Sequence, residues 1–114
     1  MANLLEETIE ILEENGKSLD DIVGVCGDKF QISIEQFKEL ANKEYDDGFG
    51  GQEVAKDLKI VGNNFWLERH EYDGSEWWEY KSIPNLDSLP MQTVKRLIGG
   101  CWDSLAKIQN DNEW

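Results

Sequence analysis

The chain has 114 residues, the length of one domain, and we predict a single domain over residues 1–114. It carries 24 acidic and 11 basic residues, a formal net charge of -13, together with 39% hydrophobic residues and five tryptophans. This composition excludes an intrinsically disordered chain, and no apolar run approaches the roughly 18 residues of a membrane span. Because a negative field repels nucleic acid and anionic lipid, we expect neither direct nucleic-acid binding nor membrane binding.

The N-terminus and the cysteines indicate the compartment. The first residues turn acidic at once and contain no basic n-region, so no secretory signal is readable and a cytoplasmic location is predicted. Cys26 and Cys101 lie 75 positions apart and form no CxxC motif. In a chain of this kind they are predicted to be free, buried thiols.

The first predicted element is an amphipathic helix over residues 3–14. Leu5, Ile9 and Leu12 fall at i, i+4 and i+7 and make an apolar stripe, and Gly16 is a natural stop. The other side of this helix carries Glu6, Glu10, Glu13 and Glu14. Like charges at i, i+4 destabilise a helix by a few tenths of a kcal/mol per pair, so packing or a binding partner must offset them.

A hairpin and a second helix are predicted next. An apolar run over 22–26, a two-residue turn at Gly27-Asp28 and an alternating strand over 29–32 form the hairpin. Ser33 and Gln36 have capping-box spacing and predict a helix over about 34–45. The glycine-rich residues 46–51 must form a loop. That loop lacks the residue order of calcium and phosphate loops, so no metal ion or other cofactor is predicted.

The clearest sheet signal is a second hairpin. A strand over about 57–61 leads into a strand over 65–72, Asp73-Gly74 is a strong turn signal, and the partner strand over 76–83 ends at Pro84. A two-residue turn places Tyr72 opposite Ser75, and therefore His70 opposite Trp77. The predicted core face then holds Phe65, Leu67, Arg69, Trp78 and Tyr80. The other face holds Trp66, Glu68, His70, Tyr72, Trp77 and Glu79.

Two interpretations of the second face are open. Large aromatic residues mixed with acids are typical of a protein-binding hot spot, with Trp66 and Trp77 as aromatic anchors. Alternatively, a helix covers this face and both tryptophans belong to the core. His70 is the chain's only histidine, which excludes a multi-histidine metal site. Its neighbours on the hairpin favour a packing cluster over a catalytic set, and we predict that the protein is not an enzyme.

A long C-terminal helix is predicted to begin at Asp87 or Ser88 and to reach about residue 108. Its apolar positions recur at spacings of 3, 4, 3, 4 and 3, which fits a core face or a dimer seam: Met91, Val94, Ile98, Cys101, Leu105 and Ile108. Gly99-Gly100 interrupts the pattern at a cost of about 1 kcal/mol each relative to Ala. The resulting order is α-β-β-α-β-β-β-α, an α+β fold in which a small antiparallel sheet of two hairpin units plus a strand is flanked by three helices.

Three stretches of the sequence are distinctive: residues 44–54 (EYDDGFGGQEV), 66–69 (WLER) and 71–80 (EYDGSEWWEY). They resemble a family of short, acidic proteins encoded by phages and prophages of Gram-positive bacteria, which implies the cytoplasm of a host cell as the location. The resemblance covers about residues 20–84 and carries no residue role with it. It implies a context, because small acidic phage proteins often inhibit host or defence proteins. Anti-CRISPR proteins that occupy a nucleic-acid-binding or PAM-binding groove are among them.

We therefore favour a binding protein that mimics nucleic acid. Its partner would be a basic nucleic-acid-binding host protein such as a CRISPR effector nuclease. The predicted contact residues are phosphate stand-ins and aromatic anchors: Glu6, Glu10, Glu13, Glu14, Asp46, Asp47, Trp66 and Trp77. One alternative is a small homo-oligomeric structural or accessory phage protein that pairs through the C-terminal helix. In another, the acidity serves only solubility. An enzyme using the acidic loop and a divalent cation is a further, less favoured alternative.

Overall fold

The computed structural model describes residues 1–48 and 51–110 and confirms the α+β class with antiparallel sheets. The elements in chain order are β1 (Ala2–Asn3), α1 (Leu4–Glu14), β2 (Ile22–Cys26), β3 (Gln31–Ile32), α2 (Ile34–Ala41), β4 (Glu44–Tyr45), β5 (Lys59–Gly62), β6 (Phe65–Tyr72), β7 (Ser75–Ser82) and α3 (Leu105–Asn110). They divide into two compact units, Met1–Ile83 and Pro84–Trp114. In the described parts of the chain, no helix is long and apolar enough to cross a membrane.

The first unit is built on a five-stranded antiparallel sheet in the order β3-β2-β5-β6-β7. The predicted register of its second hairpin is confirmed, since Tyr72 pairs with Ser75 and His70 with Trp77. Asp73 and Gly74 have φ angles of 52° and 85°, the left-handed pair that a two-residue hairpin turn requires. The turn chemistry therefore fixes which side chains of β6 and β7 share a face.

The core lies on one face of this sheet, under α1 and α2. The predicted core face is confirmed, because Phe65, Leu67, Arg69 and Trp78 are buried and Tyr80 is half-buried. The indole Nε1–H of Trp78 donates to Thr8 Oγ1 of α1 at 2.9 Å, which ties the helix to β7. The buried apolar residues of this cluster are Leu12, Ile22, Val25, Phe37, Ala41, Ile60, Phe65, Leu67 and Trp78.

Two local predictions in the first unit need correction. The helix predicted over 34–45 ends at Ala41, because Glu44–Tyr45 forms β4 and pairs antiparallel with β1. Asn3 Nδ2 also donates to Asn42 Oδ1 at 3.0 Å, so a contact distant in sequence overrides the helical pattern. The first hairpin loop spans residues 27–30, longer than the predicted two-residue turn, and is closed by Gly27 N–H donating to the Phe30 carbonyl at 2.9 Å.

The prediction of a long C-terminal helix is also wrong. In the second unit, a 3-10 turn at Leu86–Ser88 and the short helix α3 are the helical elements of residues 84–110. The Asp103 carboxylate accepts the Gly100 N–H at 2.6 Å, and Ser104 Oγ accepts the Lys107 N–H at 3.2 Å, so α3 begins after residue 104. Trp102 has a φ of 72°, which also breaks a helix. Local capping at these residues replaces the regular helix that periodicity alone predicts.

The cysteines are free, but neither is fully buried. Cys26 at the end of β2 is half-buried and Cys101 is exposed. The prediction for Cys101 fails for the same reason as the long helix, since it placed this residue on an apolar helix face that the second unit does not form.

Candidate interaction surfaces

The exposed side of α1 is the most acidic surface that a single element provides. Asn3 caps the helix by accepting the Glu6 N–H at 3.0 Å, and Thr8 and Leu12 are buried beneath it. The predicted carboxylates of Glu6, Glu10, Glu13 and Glu14 are all exposed. Throughout residues 1–48 and 51–110, no basic side chain forms an ion pair with any of these four. We call this set the α1 carboxylate surface.

The fifth carboxylate of α1 has a structural role. Glu7 Oε1 accepts from Arg69 Nη1 at 2.8 Å, and the Tyr45 hydroxyl donates to Glu7 at 2.7 Å and 2.9 Å. Burial, followed by the hydrogen bond to Glu7, raises the pKa of Tyr45, which keeps its proton. The acidic side predicted for this helix does not include Glu7, but no structural role is predicted for Glu7 from the sequence.

Arg69 is the centre of a buried network. Its Nη2 donates to Glu76 Oε1 at 2.7 Å and to the Tyr45 hydroxyl at 3.1 Å. Its guanidinium also lies over the ring of Trp78, 4.7 Å from the centroid. Burial alone would lower the pKa of Arg69, but the hydrogen bonds to Glu7, Glu76 and Tyr45 outweigh it and raise that pKa. This cation is therefore neutralised internally and does not offset the α1 carboxylate surface.

Glu76 holds the acidic loop against the sheet. Its carboxylate accepts the backbone N–H of Glu53 at 2.6 Å and of Val54 at 3.3 Å, and its own N–H donates to the Asp47 carbonyl at 3.2 Å. Neither Glu76 nor Arg69 was predicted as a functional residue. The sequence did offer a signal for both residues. Each is a charged side chain at a position that strand alternation directs toward the core, and a charge there is stable only when it is paired.

Asp46 and Asp47 lie in this loop, directly after β4. The pairing of β4 with β1, which immediately precedes α1, brings them close to the N-terminal end of that helix. Both are half-buried. Asp46 Oδ1 accepts the Gly48 N–H at 3.1 Å, and the Asp46 N–H donates to Glu53 Oε2 at 3.0 Å. Phe49 and Gly50 of the predicted loop lie outside the described residues. Within residues 1–48 and 51–110, no group of three or more His, Cys, Asp or Glu side chains could hold a metal ion.

Trp66 and Trp77 lie on the opposite side of the sheet from α1. Each is adjacent in its strand to a buried core residue. Because successive side chains of a strand point to opposite faces of the sheet, both tryptophans point away from the face that carries the Thr8–Trp78 contact. Trp77 is 38% exposed and Trp66 is half-buried. The structure thus divides the predicted contact residues between two surfaces. The acids lie on or beside α1, and the tryptophans lie on the second sheet face.

Carboxylates two residues further along the same strands hold both indoles. Trp66 Nε1–H donates to Glu68 Oε1 at 2.7 Å, and Trp77 Nε1–H donates to Glu79 Oε2 at 2.8 Å. Glu68 Oε2 also lies 2.8 Å from His70 Nε2. The hydrogen bond from Trp66, followed by that from His70, lowers the pKa of Glu68. His70 lies in an aromatic and carboxylate cluster, as its sequence neighbours predict.

Comparison of this chain with protein-family models, with curated proteins and with solved structures finds no match in any of the three.

Proposed function

We propose that the protein is a non-enzymatic binding protein that inserts the α1 carboxylate surface into a basic, nucleic-acid-binding groove of another protein. The observation that carries this proposal is the exposure of Glu6, Glu10, Glu13 and Glu14 on one helix without a basic partner among the described residues. Such carboxylates are available to a partner's cations and need not first break an internal ion pair.

The spacing of these carboxylates suits a surface that binds phosphates. Glu6 and Glu10 are four residues apart, as are Glu10 and Glu14. Side chains at this helical spacing lie roughly 5–6 Å apart, comparable to successive phosphates along one nucleic-acid strand. Their mutual repulsion weakens the free helix slightly, and contact with Lys or Arg side chains would relieve it.

The charge of the first unit supports the same proposal. Residues 1–83 contain 20 acidic and 8 basic residues, a net of -12, so nearly all of the protein's charge of -13 belongs to this unit. A field of this size accelerates encounter with a positive surface at low ionic strength. Asp46 and Asp47 extend the acidity near the start of α1.

The proposed class of partner follows from the resemblance to phage proteins. An acidic inhibitor made in an infected bacterium would meet defence nucleases, whose guide and target channels are lined by Lys and Arg. CRISPR effector nucleases of Gram-positive bacteria are therefore the partners to test first. Trp66 and Trp77 lie on the other side of the sheet, so we assign them no role in the same groove.

The test compares two variants with the same net charge. One replaces Glu6, Glu10, Glu13 and Glu14 by Gln, and the control removes four other exposed acids by Glu35→Gln, Glu39→Gln, Glu71→Gln and Asp87→Asn. Binding to a panel of purified effector nucleases is measured by biolayer interferometry at about 50 mM and about 300 mM salt, with target-DNA cleavage as a second readout.

For an effector that binds, we expect affinity to fall at least about tenfold between the two salt concentrations. At low salt, the affinity of the α1 variant should be at least about tenfold lower than that of the unmodified protein, and the affinity of the control should stay within about threefold of it. Equal losses in both variants would show that net charge, rather than the α1 carboxylate surface, carries binding. Absence of binding to every effector at low salt would overturn the proposal.

A further inference from the structure

The second unit exposes most of its large apolar side chains. Met91 is 97% exposed, Ile98 85% and Trp102 97%. The large apolar side chains that are exposed between residues 84 and 110 are Leu86, Leu89, Met91, Leu97, Ile98, Trp102 and Leu105. Apolar groups concentrated in this way mark an interaction surface.

Three of these side chains belong to a heptad pattern that the second unit does not use. Met91, Ile98 and Leu105 are seven residues apart, and Val94, Cys101 and Ile108 fall between them at the spacing of a coiled-coil seam. On a continuous helix, Leu97 and Trp102 would flank this seam on either side. Gly99 and Gly100 would fall on the outer face, away from a partner helix.

The glycines explain why the segment is not helical by itself. Gly is the least favourable residue in a helix apart from Pro, and a helix gains most of its stability from packing of its apolar face. Without a partner, the Gly100 N–H bonds to Asp103 instead, and the helix is confined to Leu105–Asn110. A partner that covers the seam would supply the missing packing.

We propose that residues 88–108 form one amphipathic helix when they pair with the same segment of a second copy of this chain. Five of the exposed side chains lie in or beside the seam, and at about 100 Å² of apolar surface each they offer on the order of 500 Å² per copy: Met91, Leu97, Ile98, Trp102 and Leu105. A stable interface takes about 800 Å² per partner, and Val94 and Cys101 lie in the same seam to contribute further area.

The charge of the segment favours a second copy as the partner. Residues 84–110 contain two acidic and three basic residues, so two such segments meet with little repulsion, unlike two copies of the first unit. Added salt screens the repulsion between first units and should strengthen self-association. The proposed binding through α1 has the opposite salt dependence. The two proposals are independent, and their failures are distinguishable.

The experiment measures helicity and mass together. Far-UV circular dichroism and sedimentation equilibrium are recorded on the full chain from about 5 μM to about 500 μM, at low and at moderate salt. We expect helicity to rise with the dimer fraction, and the dissociation constant to fall severalfold as salt is added.

Two variants and one control locate the seam. Ile98→Asp should abolish both dimer and helicity gain, and because Ile98 is exposed the variant should fold normally, whereas Leu86→Asp, at an exposed position outside the seam, should change neither. The double variant Gly99→Ala/Gly100→Ala should lower the dissociation constant at least about tenfold.

Three results would overturn this inference. The first is a monomer at every concentration, and the second is a dimer whose formation leaves the helical content unchanged. The third is helix formation on anionic vesicles by a chain that stays monomeric in solution, which would reassign the seam to a lipid surface. An unchanged dissociation constant in Ile98→Asp would place any dimer contact elsewhere.

Discussion

The two units of this protein differ in what holds them together. The first unit combines a charge of -12 with a closed apolar core and a buried cation, Arg69, that forms ion pairs with Glu7 and Glu76. The second is nearly neutral, and Ile108 is the one hydrophobic residue that it buries among residues 84–110. The unit with the high net charge is thus also the unit with the packed core, and the stability of such a core can offset the repulsion between surface carboxylates. The second unit has apolar side chains enough for a core but leaves most of them exposed.

The largest expected effect tests the buried network of the first unit. Arg69→Met leaves the buried Glu76 and the half-buried Glu7 without their cation, and removal of one partner from a buried pair costs about 3–5 kcal/mol. Lys81→Met is the control, since Lys81 is a half-buried base of β7 for which the described residues provide no ion pair. It should change the free energy of unfolding in urea by less than about 0.5 kcal/mol. A loss below about 1 kcal/mol in Arg69→Met would show that the network adds little.

The same substitution in both units gives the most direct comparison. Leu67 is fully buried, and Leu97 is 76% exposed. Leu67→Ala should cost about 2–5 kcal/mol through lost burial and the cavity it creates. Leu97→Ala should cost less than about 0.5 kcal/mol at the low micromolar concentrations at which the chain is monomeric. Thermal and urea unfolding of both variants measure the difference, and similar losses would mean that the second unit has a packed core of its own.

The smallest expected effect concerns pH. The hydrogen bonds from Trp66 and His70 hold the pKa of Glu68 below its ordinary value of 4.5, so in the folded protein this carboxyl loses its proton at lower pH than in the unfolded chain. The unfolded state then binds more protons in that interval, and the stabilisation from Glu68 is present above pH 4.5 and is lost as pH falls through the folded pKa. Unfolding free energies of the unmodified protein and Glu68→Gln between about pH 3 and 7 should converge toward the acid end. A constant difference across this range would assign the Glu68 contribution to packing.

Sequence reasoning succeeded where chemistry close in the chain decides the structure. Asp73-Gly74 allows one kind of turn, and that turn sets the register of the hairpin and the core face. The α1 helix was predicted nearly to its ends, because a cap, an apolar stripe and a stop lie within a few turns.

Prediction from the sequence failed where contacts between residues distant in the chain decide the structure. The pairing of Ala2–Asn3 with Glu44–Tyr45 has no signature in either dipeptide. Glu7 differs from Glu6 and Glu10 only because Arg69 lies beneath it, 62 residues later in the chain. In the second unit, the periodic pattern predicts one long helix, but apart from the 3-10 turn at Leu86–Ser88, residues 84–110 contain no further element that could cover its apolar face. Periodicity shows which side of a helix would be buried and does not supply the surface that buries it.

The attachment of α1 has a consequence for the order in which the chain folds. Its polar anchors are Tyr45, 38 residues downstream of Glu7, and the more distant Arg69 and Trp78, 62 and 70 residues downstream. An isolated helix of 11 residues is marginal in water, and α1 lacks two of these three anchors until the last hairpin is complete. At about 5–20 residues per second, a ribosome needs several seconds to make that stretch. During this time the N-terminal segment has not yet formed its contacts with the last hairpin, and its negative charge keeps it soluble.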